Sequence, residues 1–238
     1  MSRDVKSDFD ALEQFMSEYR LTSIITETDY RIFISQQHKK YFSYLTMIAE
    51  LTSFVGKKKY RKNLTIKQFD FIKESCSDIG IAFFYSFHGG YKGSKLLLRS
   101  SIETFLKGFC LDEVKNLDKE TSIFELFAKV KSSKFFSSPK EKILLEGIHQ
   151  QYKLLCKDVH TASVLNMASL SSLNFFPSFN KQEAQIISKT LLSLVPNYLS
   201  LLAIKYNQQF HIFHFKNRKI ITSSIPNDLK PYINKIDD

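Results

Sequence analysis

Apolar residues return every three or four positions along most of this chain, the period of helices with one buried face. Phe9, Leu12, Phe15, Met16 and Tyr19 follow that spacing between Asp8 and Arg20, after an acidic start, and predict a short amphipathic helix. A longer helix is predicted from Asp29 to about Val55, with Ile32, Phe33, Phe42, Leu45, Ile48, Ala49 and Thr52 on its buried side and Gly56 ending it. Thr65 stands where an N-cap is wanted for a helix reaching Phe87. Gly89 and Gly90 interrupt the pattern and a further helix follows from Tyr91 to Leu111, so the two flanking segments should form an antiparallel hairpin with a very short connection.

From Asp112 to Pro139 the chain is more polar, with a short helix expected over Ser122–Val130 and a serine-rich crossover, "KSSKFFSS". Pro139 suits the first position of a helix that carries Ile143, Leu144, Ile148, Tyr152 and Leu155 at core spacing to about His160. A loop containing "NFFPSFN" leads to a last long helix, Lys181 to about Asn207, which Pro196 is expected to kink or split. The tail, "FHIFHFKNRKIITSS", changes period. Its alternation and β-branched residues suit a small hairpin across Asn217 and Arg218, the alternative being a packed irregular tail. The expected fold is all-α: an antiparallel helical bundle with extra N-terminal helices, a helical domain over residues 1–207, and a C-terminal appendage over 208–238.

Composition points the same way. Twenty-two phenylalanines, seven glycines and five prolines supply a core and leave little material for the turns of a β-sandwich. The net charge of +10 creates a field that favours polyanions. That charge is spread along the chain except at "KKKYRK", where Lys57, Lys58, Lys59, Arg61 and Lys62 surround Tyr60. This cluster is the candidate nucleic-acid contact, set against the plainer reading of a solvated loop. Cys76, Cys110 and Cys156 are far apart among apolar neighbours, which suits a reduced cytoplasmic setting better than disulfides or a zinc site. No apolar run opens the chain, and the uncharged run Thr190–Ile204 is short and interrupted by Pro196 and Asn197. Neither a secretory signal nor a membrane segment is expected.

The segment "LLLRSSIETFLKGF", Leu96 to Phe109, carries an arginine and a glutamate in oily surroundings. Arg99 and Glu103 share a helix face, while Leu98, Ile102, Phe105 and Phe109 form a stripe about a quarter turn away. Gly93, Leu97, Ser101, Thr104 and Gly108 form a second, mostly small stripe that lets another helix approach. The pair is therefore expected at least partly inside the protein, where desolvation makes it a poor stabiliser and leaves a polar filler or a functional group as its reason. His160 ends the later helix, "YKLLCKDVHTAS", as a C-terminal cap or as a proton-transferring group. His211 and His214 would face opposite sides of a strand and have no carboxylate or cysteine nearby in sequence, so no metal site is expected. "HGGYKG" lacks the preceding strand of a phosphate-binding loop and reads as a hairpin turn.

An "RSxxE" helix after a short turn, followed by a helix ending in Tyr152, Cys156, Val159 and His160 and then a small residue, resembles bacterial helical proteins of the HEPN superfamily over about residues 65–163. The resemblance implies a metal-independent RNA endonuclease without a cofactor, acting as a toxin or antiviral effector with a protein partner or antitoxin. It also implies a homodimer in which two histidines face one groove. Nucleases of that superfamily carry an arginine a short distance before the histidine on one helix. Here Lys153 takes that place and Leu154 follows it, so a point charge replaces the planar fork that grips two phosphate oxygens. On this reading His160 moves protons at the ribose 2′-hydroxyl and the leaving oxygen, Arg99 or Lys153 stabilises the scissile phosphate, and Glu103 holds Arg99. Asp158, two residues before His160, points elsewhere and is an outside candidate. The competing readings are a non-catalytic interaction or regulatory protein of the same type, and a basic helical adaptor that holds nucleic acid without cutting it.

Overall fold

The computed structural model describes residues 3–18, 27–159 and 177–235. Among them every extended element is helical and no strand occurs, so the fold is all-α. The helices are α1 (Arg3–Glu18), α2 (Thr28–Thr52), α3 (Ile66–His88), α4 (Tyr91–Cys110), α5 (Ile123–Lys131), α6 (Pro139–Val159) and α7 (Lys181–Lys205). Three short ones follow: α8 (Asn207–Ile212), α9 (Phe215–Thr222) and α10 (Lys230–Ile233).

Local signals place most of the boundaries. The Thr65 hydroxyl accepts from the Gln68 N–H and the Gln68 side chain returns to the Thr65 N–H, a reciprocal cap that satisfies two otherwise orphaned donors of α3. Ser122 and Asn180 cap α5 and α7 through their side chains. Gly89 closes α3 with φ of 85°, a left-handed conformation that glycine adopts without a Cβ clash, and its N–H reaches the Ser86 carbonyl. The chain then reverses within two residues into α4.

The hairpin of α3 and α4 is closely packed. A Cβ added at Gly108 would lie 2.8 Å from both the Gln68 carbonyl oxygen and the Phe71 Cβ, so the start of α3 meets the end of α4 at backbone distance. Around this hairpin pack α2, α6 and α7, and their contacts form one continuous apolar core. Tyr198 of α7 stacks on Phe105 of α4, ring centroids 3.9 Å apart and nearly parallel, with Tyr44 of α2 on its other flank at 5.8 Å. All three rings are fully buried.

Helix α7 is 25 residues long and, among the described residues, the one helix long and apolar enough to cross a membrane; its most apolar stretch is 72% buried within the protein, as a core helix requires. Pro196 does not divide it into two elements. The hairpin expected across Asn217 and Arg218 is not formed: that stretch is α9, preceded by the single helical turn and a half of α8. Phe210, Phe213, Ile221, Ile225, Leu229 and Ile233 all enter the main core, and Ser43 of α2 meets Ser224 through hydroxyls 2.8 Å apart. Burial against α2 and α7 overrides the weak β tendency of the segment, as tertiary context commonly does for short β-like runs.

Candidate functional site

The Arg99–Glu103 pair sits on the rim where α4 meets α6. Arg99 Nε lies 3.4 Å from Glu103 Oε1, and the two side chains retain 27% and 34% of their exposure. The pair is thus partly inside the protein, as expected, with one flank open. Leu96, one turn earlier, is itself exposed, so α4 has an open flank that its sequence does not announce. The apolar stripe of Leu98, Ile102, Phe105 and Phe109 is fully buried as expected. A pair this accessible costs little to desolvate and contributes on the order of 0–1 kcal/mol.

Tyr152 of α6 completes the cluster. The Arg99 guanidinium lies over its ring, 5.2 Å from the centroid, and the Tyr152 hydroxyl donates to Glu103 at 3.3 Å. Burial pushes the Tyr152 phenol well above its usual range, with Cys156 and Glu103 adding to the shift. Burial works against the charged Arg99, but Tyr152, Cys156 and Glu103 outweigh it and hold the guanidinium above its ordinary value. The result is a fixed, permanently charged cation with an open side, suited to a phosphate or carboxylate. Behind it, Asp78 of α3 is buried and accepts from Thr104; burial, then Glu74 and Glu103, raise its carboxyl despite that bond and one from Ser100.

On the other side of Tyr152 an apolar cavity of about 600 Å³ opens between α5 and α6, lined by Ile123, Phe124, Phe127, Lys131, His149, Tyr152, Lys153 and Cys156. Lys153 is exposed on this wall. His149 was not singled out by sequence, although it stands three residues before Tyr152 and four before Lys153 on one helix face. Its ring packs on Phe127 with centroids 4.2 Å apart, and burial, then Lys153 and Lys131, lower its pKa and favour the neutral imidazole. A neutral imidazole beside two lysines is chemically able to accept a proton. His160, together with the side chain of Asp158, lies outside the described residues.

The basic cluster divides between solvent and the protein's own surface. Lys57 and Lys59 lie over the rings of Phe54 and Tyr60, and Lys62 pairs with Glu113 at 3.1 Å. Lys57, Lys58, Lys59 and Arg61 are exposed, while Lys62 is half-buried. Glu113 also accepts from the Ser133 hydroxyl and the Phe135 N–H. Burial raises its pKa, but these bonds and Lys62 outweigh it and bring the carboxyl down to about 2.

Burial pushes the Cys76 and Cys110 thiols up to about 12, which makes both unreactive at neutral pH. His211 contacts the Ile233 carbonyl within the tail, and His214 is exposed before α9 with its backbone N–H on Glu50. No group of three or more potential metal ligands occurs among the described residues. Compared with known proteins, the chain matches no family model, no curated protein and no solved structure.

Proposed function

We propose that this protein is a HEPN-like, metal-independent RNA endonuclease whose centre lies at the seam of α4 and α6. The observation that carries the reading is the half-exposed Arg99 guanidinium, held by Glu103 and Tyr152 against α6, the helix whose last residue, Val159, precedes His160 in sequence. In this reading Arg99 stabilises charge on the scissile phosphate, Glu103 and Tyr152 position it, and His160 moves protons at the attacking and leaving oxygens. Lys153 supplies a second, mobile positive charge from the cavity wall. The cations of Lys57, Lys58, Lys59, Arg61 and Lys62 retain the RNA through phosphate contacts that do not read sequence. Two copies of the chain bring two such centres to one groove, and the setting is a toxin or antiviral effector restrained by an antitoxin or other protein partner.

The test is cleavage of RNA by the purified protein in EDTA. Wild type cuts, while His160→Ala is folded and inactive; undiminished cutting by that variant removes His160 from the mechanism.

A second reading has its own observation. Phe124 is 78% exposed beside the apolar cavity of α5 and α6, the kind of surface a protein partner covers. In that case the Arg99 cluster is structural and the protein regulates through binding. Absence of cleavage, together with loss of a stable partner on Phe124→Ser, selects this reading over the first. The adaptor reading is selected by salt-sensitive RNA retention without cleavage.

A further inference from the structure

We propose that a separate cavity at the start of α6 binds a nucleotide, taking the base inside and leaving the phosphate on the basic loop. The site is independent of the endonuclease centre. Glu141 stands twelve residues before Lys153 on α6, about 18 Å away at the rise of an α-helix.

One carboxylate oxygen at this cavity has no donor among the described residues. Glu141 is 3% exposed, and its Oε1 accepts from the Tyr232 hydroxyl at 2.9 Å. Its Oε2 is buried and has no partner among the described residues. A buried carboxylate oxygen left without a donor is costly, and proteins rarely retain one without a use. Glu141 lines a cavity of about 200 Å³ together with Arg61, Lys62, Phe135, Gln209 and Tyr232.

The charges around that oxygen narrow the ligand. Lys205 also lines the cavity, with its ammonium on Asp112 and the Phe109 carbonyl, and Lys62 is paired with Glu113. A metal ion would find one carboxylate at the cavity and no group of three or more potential ligands among the described residues. A neutral N–H donor needs only the one open acceptor, and Arg61 beside the cavity suits a molecule that is otherwise anionic. Phe135 and Tyr232 favour a planar ring, and the volume lies below the roughly 300–1,000 Å³ typical of drug-sized sites, so a base fits inside and its sugar phosphate does not. Arg61 and Lys62 belong to the same run as Lys57, Lys58 and Lys59, which places cations beside the cavity for the phosphate. A nucleobase N–H donating to Glu141 Oε2, with phosphate outside, answers both features. A free nucleotide and the end of an RNA strand present the same chemistry.

Calorimetric titration at low salt with the four ribonucleosides, their 5′-monophosphates, ribose 5-phosphate and a short oligoribonucleotide tests the site. Nucleotides should bind at least tenfold more tightly than ribose 5-phosphate. Glu141→Leu should abolish that margin, and Arg61→Gln on the exposed loop should weaken nucleotides while sparing nucleosides. The proposal is overturned if no nucleotide or oligonucleotide binds, if ribose 5-phosphate binds as well as the nucleotides, or if folded Glu141→Leu keeps the margin. Should Glu141→Leu fail to fold, equal effects of Arg61→Gln on nucleotide and nucleoside overturn it instead. A tenfold preference for the oligonucleotide assigns the site to an RNA end, and the reverse assigns it to free nucleotide.

Discussion

The Arg99 guanidinium rests on the face of Tyr152 while the hydroxyl of the same tyrosine donates to Glu103, so one ring of α6 holds both members of the α4 ion pair. An arginine fixed in this way loses little conformational freedom when an anion arrives.

Arg99→Ala separates function from stability. The exposed pair and the cation–π contact together are worth about 1 kcal/mol, so urea unfolding should shift by no more than that. RNA cleavage should fall by about 10²–10³, the usual loss when a charge-stabilising donor is removed. Unfolding that shifts by several kcal/mol would show the cluster to be a structural support.

Gly108→Ala tests the closeness of α3 and α4. The added methyl meets the Gln68 carbonyl oxygen and the Phe71 side chain at 2.8 Å, and backbone cannot yield as a side-chain tip does. A loss of about 1–3 kcal/mol is expected from overpacking, read by denaturant unfolding. A neutral or stabilising result would contradict the observed approach.

Asp78 gives a stability term of definite sign. Its carboxyl is raised above the ordinary 3.8, chiefly by burial. The folded state therefore holds this proton more tightly than the unfolded chain does. The contribution to stability is fully present below 3.8 and is lost as pH rises through the folded value. Asp78→Asn should thus be more stable than wild type at pH 7, with the advantage vanishing toward pH 3. A variant less stable at pH 7 would refute the assignment.

His149 has the opposite slope. Burial, then Lys153 and Lys131, place its folded value below the ordinary 6.5, so the folded state resists protonation. Stability from this group is intact above 6.5 and declines as pH falls through the folded value. His149→Gln should flatten that decline, and Lys153→Met should raise the imidazole pKa in an NMR titration. An unchanged titration in Lys153→Met would place the lysine too far away to act.

Much of the scaffold was legible from neighbours in sequence. Thr65, Ser122, Gly89 and Pro139 act within a turn or two of themselves, and the helices begin and end close to where those residues predict. The shared face of Arg99 and Glu103 was equally readable, since four residues along a helix return to one side. Its partial burial was expected too, but not which flank stays open: Leu96 is exposed and the pair lies at a rim. The tail misled for a related reason: a brief alternation of apolar residues suits a strand or a helix, and contacts with α2 and α7 decided between them.

The order of apolar and capping residues by itself determined an all-α chain with a tight α3–α4 hairpin, because helix period, caps and left-handed glycines are local properties. Only the tertiary structure decided that Tyr152, 49 residues from Glu103, covers the ion pair, that α5 closes an apolar cavity over His149 and Lys153, and that Glu141 keeps one buried oxygen without a partner among the described residues. Those relations depend on which helix faces pack together, a choice made by the fit of whole surfaces across the chain and carried by no single stretch of it.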